Sequence, residues 1–252
     1  MILIIARGEL RRMFYSPLAW VILAVVLFIL ALLFLTLLDT FVTVLQPRLA
    51  ATQAAPGVTD LVVAPVLLWA GVVMLGISPL LTMRAFSEER QTGSLTLLIS
   101  APVSMTEIVL GKYLGLLLFA LIMLGLLALM PMSLAVGTSL DWGKLLAGLV
   151  GLFLLLASFS AAGLFLSSMT VTPLIAAVSS FGLLLLLVVL YLSGSSQSTD
   201  SELFIYLSHF SHYVSFLEGM FDTSDVVYYI LFSGTFLILT VWRLESQRLQ
   251  RA

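Results

Sequence analysis

Long apolar runs alternate with short polar segments along the chain, and six of them approach the roughly 20 residues a helix needs to cross a hydrocarbon core. They cover about Leu18 to Leu38, Leu61 to Leu81, Ile108 to Met130, Leu145 to Leu166, Leu174 to Leu192 and Val226 to Trp242. The first predicts a retained span, because no small-residue cleavage site closes a short apolar core there. The last is the shortest, about 17 residues, with Gly234 near its middle. Ahead of the first run, Ile2, Ile5, Ala6, Leu10, Met13 and Phe14 recur at helical spacing, with Arg7 and Arg11 on another face. This predicts an amphipathic interfacial helix over residues 1–16, against the plainer reading of a positively charged flank. Between Gly194 and Asp225 a turn-prone stretch, SGSSQSTDS, leads into ELFIYLSHFSHYVSFLEGMFD. There Ser208, Ser211, His212, Ser215, Glu218 and Asp222 form a polar stripe, while Phe204, Leu207, Phe210, Val214, Leu217 and Phe221 lie off it. The period is helical and the segment too polar to span, so it predicts one helix or a pair dipping into the membrane over 194–225.

The fold class that follows is an all-α integral membrane protein: an N-terminal interfacial helix, six transmembrane helices and membrane-dipping outer helices between spans five and six. Composition agrees, with 61% hydrophobic and 10% charged residues and a mean hydropathy of +1.18, far from a soluble domain at about 25% charged. The 252 residues read as a single transmembrane domain. A net charge of -2 leaves no basic footprint for nucleic acid. The absence of Cys removes disulfides, thiolate nucleophiles and Cys-based metal sites. Six spans put both termini on one side, and the short-loop cations choose it. Arg7, Arg11, Arg12, Arg84, Arg90, Lys112, Arg243, Arg248 and Arg251 fall with the termini, against Arg48 and Lys144. Both termini are therefore expected in the cytoplasm.

The loop between spans two and three, residues 82–107, holds a polar knot around a short apolar segment. Thr92 and Gly93 break what precedes them, Ser94 is a candidate N-cap, and LTLLIS makes barely two turns before Ala101 and Pro102 stop it. Ser104 and Glu107 then have the spacing of a capping box, predicting a fixed start for span three. A six-residue helix has no stability of its own. Leu95, Leu97, Leu98 and Ile99 on its surface predict docking into a groove of a soluble partner; packing against lipid or the chain's own interfacial helix is the alternative.

The order MRAFSEERQTGSL, then APVS, then VLGKY, resembles the permease subunit of type-2 ABC exporters, and within it most resembles the gliding-motility-associated permeases. The resemblance extends over essentially the whole chain, while the small outer portion departs from relatives with large external domains. It implies that Leu95 to Ser100 form the coupling helix that docks on an ATPase subunit. It also assigns ATPase-subunit coupling to Glu88, Glu89, Arg90, Thr92, Gly93, Ser94, Leu95, Leu97, Leu98, Ile99 and Pro102, with the three charged residues pairing with partner charges or with each other. The implied partners are two copies of a cytoplasmic ABC ATPase, which bind ATP and Mg, a second permease that is itself or a relative, membrane lipid, and an extracytoplasmic envelope protein. The implied setting is a bacterial inner membrane. The expected function is an ATP-driven exporter permease; the alternative is a subunit that passes force to an envelope partner without carrying a substrate.

No ATPase or cofactor site is expected in the chain itself. The nearest approach to a phosphate loop, GTSLDWGKL from Gly137, has the wrong glycine spacing and Leu in place of the Mg-binding hydroxyl. No span carries an ionisable residue in its middle, which argues against a proton-coupled carrier. His209, His212 and Glu218 could be drawn as a metal site, but hydrated histidines on a wet stripe are the simpler expectation. No G-x-S-x-G elbow occurs, so Ser158, Ser160, Ser179 and Ser180 are read as helix-packing residues. Gly111 with Gly115, and Ala147 with Gly151, are candidate close-contact pairs.

Overall fold

The computed structural model describes residues 1–49, 56–94, 103–194 and 208–249. Among the described residues the structure is helical without strands. The chain opens with α1 (Ile2–Tyr15) and α2 (Pro17–Thr40), separated at Ser16, whose extended backbone and side chain cap α2 at Leu18 N, with Pro17 in the first turn. A π-helical turn (Phe41–Leu45) and a short helix (Gln46–Leu49) continue the second element, and another π turn (Thr59–Val63) opens α3 (Ala64–Thr82). There follow α4 (Ser87–Gln91), α5 (Met105–Ser133), α6 (Trp142–Met169), α7 (Pro173–Gly194), α8 (His209–Leu217) and α9 (Thr223–Leu249).

Among the described residues, six helices are long and apolar enough to cross a membrane, running Pro17–Arg48, Thr59–Gln91, Met105–Val136, Trp142–Met169, Pro173–Tyr191 and Thr223–Leu249. They coincide with the six runs in the sequence. The sixth is longer than its apolar core, because Asp225 near its start and Glu245 near its end lie on the same continuous helix.

The bundle is built around α6, which packs against α3, α5, α7, α8 and α9. Its 28 residues are about 42 Å of helix, and Leu152, Leu155, Phe159, Ala161 and Leu164 are fully enclosed. Small residues let neighbours reach that axis. A Cβ at Gly163 would meet Thr82 Oγ1 at 2.2 Å, one at Gly151 would meet the Phe216 side chain at 2.7 Å, and one at Gly148 would meet Leu67 Cδ1 at 2.7 Å. The close-approach pair on α6 is thus Gly148 and Gly151; Ala147, one residue earlier, is only half-buried. In contrast Trp20, Phe28, Leu174, Val178, Ile238 and Trp242 are exposed on α2, α7 and α9, as expected of a surface that meets lipid.

The N-terminal helix is packed against the bundle. Its inward face packs along the first half of α5, where Gly111 and Gly115 admit it. A Cβ at Gly111 would approach Ile5 Cβ to 2.6 Å, and one at Gly115 would approach Glu9 Cβ to 2.9 Å and Ala6 O to 3.2 Å. Ala6 is 1% exposed, whereas Leu3, Ile4, Arg7 and Arg11 face outward.

Candidate functional site

The connection from α3 to α5 begins with a tight turn that buries Phe86 and Ser87 completely. Ser167, near the end of α6, anchors this turn: its Oγ accepts from Phe86 N at 3.1 Å and from Ser87 N at 3.2 Å, and donates to Met83 O at 3.0 Å. Ser87 Oγ also donates to Met83 O. One buried hydroxyl thereby satisfies three backbone groups that a bent chain would otherwise leave orphaned.

α4 then carries the acidic and basic residues of the knot, and between them they reach α1, α5, α6 and α9. Glu88 Oε2 lies 3.1 Å from Arg12 Nη2 of α1. Glu89 Oε1 lies 2.6 Å from Lys112 Nζ of α5 and 3.4 Å from Arg12 Nη1. Arg90 Nη2 donates to Ser168 O of α6 at 2.5 Å and to Gln247 Oε1 of α9 at 2.9 Å. Lys112 is 3% exposed, also pairs with Glu9 Oε2 at 3.4 Å, and sits 5.3 Å above the Phe86 ring. Within the chain, these three charges reach α1, α5, α6 and α9. The period of the sequence had no means of revealing those partners.

Thr92 ends α4, its N–H donating to Glu88 O at 2.9 Å, and Gly93 takes φ +77°, a left-handed helix stop that favours glycine. Thr92 Oγ1 and Ser94 Oγ are 2.9 Å apart, and Ser94 Oγ reaches Glu89 O at 3.3 Å. Leu95, Leu97, Leu98, Ile99 and Pro102 lie outside the described residues. Beyond them Ser104 Oγ accepts from Glu107 N and Glu107 Oε2 accepts from Ser104 N, both at 3.2 Å, the two reciprocal bonds of a capping box that starts α5.

This end of the bundle therefore gathers α1, α4, the start of α5, the end of α6 and the last turns of α9 around the connection from α3 to α5. A family model described as ABC-2 family transporter protein matches residues 3–243. The chain belongs to the ABC-2 transporter family. It is a multi-pass membrane protein and the permease subunit of an ABC transporter, distinct from the ATPase subunit that such a family implies as its partner. No curated protein sequence matches the chain.

The far end of this ABC-2 permease holds a second polar cluster that the sequence reading missed. α8 enters from that end, with Gly219 (φ +83°) turning beside Lys144 and the first turn of α8 reaching Phe159, past the midpoint of α6. His209 and His212 are 0% and 7% exposed, so the expectation of hydrated histidines is overturned. The helical period was legible, but His212 of the polar stripe turns inward to Asp225 of α9, while Glu218 and Asp222 stay exposed. His212 Nδ1 is 2.6 Å from Asp225 Oδ1, Tyr228 Oη is 2.9 Å from His209 Nδ1, and Tyr229 Oη donates to His209 O at 2.7 Å. Phe159 and Phe232 complete an aromatic cage around His209. Tyr213 Oη donates to Leu67 O at 2.6 Å, fixing α8 to α3. Glu218 is exposed, and among the described residues no group of acids and histidines has the grouping of a metal site. Nearby, the Ser224 backbone N–H, 2.9 Å from Asp222 Oδ1, and then the Ser224 hydroxyl hold the Asp222 carboxyl below its ordinary range. Of the serines read as packing residues, Ser158 is enclosed and donates to Leu155 O at 2.7 Å, while Ser179 bonds its own helix from an exposed position.

Proposed function

We propose that this permease couples ATP hydrolysis by a separate cytoplasmic subunit to movement of a substrate across or out of the membrane. The observation that carries the reading is the fixing of α4 to four helices at once, through Glu88, Glu89, Arg90 and the Ser167-anchored turn. A segment docked on an ATPase and joined to that stem would move α1, α5, α6 and α9 together. Leu95 to Ser100 is the segment of the right length and apolar character for the docking. Nine of the eleven Lys and Arg residues fall on the side of the termini, which supports a cytoplasmic loop end in a bacterial inner membrane. The reading further includes two ATPase copies and a dimer with a second copy or a related permease. The loop motif supports membership of the gliding-motility-associated branch.

The chain contains no Cys, so Leu98→Cys gives one reactive thiol. Cross-linking in native membranes is expected to join that position to a soluble ATPase chain. A thiol that reacts freely with maleimide yet forms no adduct with an ATPase contradicts the reading. Within a captured complex, ATPase activity stimulated by an envelope protein alone, with no substrate effect, favours force transmission over export.

A further inference from the structure

A groove of about 320 Å³ opens between α1, the first turn of α2 and the end of α3. It is lined by apolar Met13, Leu18, Leu80 and Leu81 and by charged Arg84, Glu88, Glu9 and Arg12. Tyr15 and Trp20, 73% and 58% exposed, flank it on the outside of α1 and α2. Exposed Tyr and Trp rings of this kind mark the headgroup level of a bilayer. Leu80, 39% exposed, continues the apolar lining toward the lipid-facing surface of α3.

The charges around the groove are balanced in sign and unequal in commitment. Arg12 is engaged by Glu88 and Glu89, and Glu9 is engaged only by Lys112 at 3.4 Å. Arg84 makes no hydrogen bond or ion pair among the described residues and is exposed. Glu88 keeps acceptor capacity beyond its single pair with Arg12, its side chain being 38% exposed. A guanidinium with five unused donors is suited to a phosphate, and a carboxylate with unused lone pairs beside it is suited to an ammonium. An anionic headgroup would bring Glu88 and Glu9 no cation, only hydroxyl donors such as those of a glycerol headgroup.

We propose that this groove binds a zwitterionic, amine-bearing phospholipid of the phosphatidylethanolamine class, phosphate on Arg84 and ammonium on Glu88, with the first acyl carbons on Leu80 and Leu81. The primary ammonium donates three hydrogen bonds, which a quaternary choline cannot do. The site is independent of the transport reading, since it needs no ATPase. Bound there, the lipid joins α1 to the end of α3 beside the Arg12–Glu88 pair.

The test uses the full chain in nanodiscs of equal parts phosphatidylethanolamine, phosphatidylglycerol and phosphatidylcholine, followed by detergent release and native mass spectrometry of retained lipid. Wild type is expected to retain phosphatidylethanolamine about tenfold over the other two, the ratio that corresponds to about 1.4 kcal/mol. Arg84→Gln is expected to abolish that enrichment, and Glu88→Gln to erase the preference over phosphatidylcholine. Leu80→Trp, which fills the groove and leaves every charge in place, is expected to lower occupancy. Retention in the bilayer ratio, enrichment of phosphatidylglycerol, or phosphatidylethanolamine enrichment that survives both Arg84→Gln and Leu80→Trp overturns the proposal.

Discussion

Lys112 Nζ of α5 lies 2.6 Å from Glu89 Oε1 of α4, and the lysine is almost wholly enclosed. Removing one partner of such a pair strands a charge, a loss of about 3–5 kcal/mol. Lys112→Met is expected at the lower end, about 3 kcal/mol, because Arg12 still reaches Glu89 at 3.4 Å. Equilibrium denaturation in mixed micelles measures it. The double variant Lys112→Met, Glu89→Leu is expected to regain part of the loss, since Arg12 keeps Glu88 and only Glu9, whose contact with Lys112 is the longer one at 3.4 Å, is left without a cation.

Ser167 makes a different prediction, because its hydroxyl accepts two backbone N–H groups and donates to a carbonyl. Ser167→Ala leaves buried groups unsatisfied, each about 1–3 kcal/mol. The expected result is a destabilised turn, read as faster hydrogen exchange at residues 83 to 91 with the rest of α6 unchanged.

The glycines of α5 should be unequal to other small residues of the contact. Gly111→Leu is expected to push α1 away, since even a Cβ would lie 2.6 Å from Ile5 Cβ, whereas Gly8→Ala meets nothing within 4 Å and should be silent. Tryptic cleavage at Arg7, Arg11 and Arg12 in the purified protein checks this: it should accelerate in the first variant and not in the second.

At the far end, the 2.6 Å bond between His212 and Asp225 ties α8 to α9. Asp225→Ala is expected to cost about 1–3 kcal/mol and to raise hydrogen exchange across 209 to 217, while Asp225→Asn, which keeps an acceptor, should cost less than half as much.

These residues also show what a single sequence can disclose. The six spans were legible because a run of about 20 apolar residues has few other uses, and helix ends with local chemistry, such as Ser104 with Glu107, carry their own signature. The partners of the knot were not legible. Ser167 bonds Phe86 from 81 positions away and Gln247 bonds Arg90 from 157 positions away, and neither residue belongs to a local pattern. The histidines failed for a related reason: the period of Ser208 to Asp222 shows that one helix face is polar, but a polar face can meet water or other polar side chains. Asp225, Tyr228 and Tyr229, on the next span, decide that it meets side chains.

Engagement of an ATPase by residues 95 to 100, as proposed, is tested by mild purification from the native membrane with mass spectrometry of the proteins that accompany the chain. Wild type should carry a soluble ABC ATPase, and Leu98→Asp should lose it while retaining the folded permease. An intact complex in Leu98→Asp, or a wild-type chain without an ATPase under conditions that preserve other membrane complexes, contradicts the account.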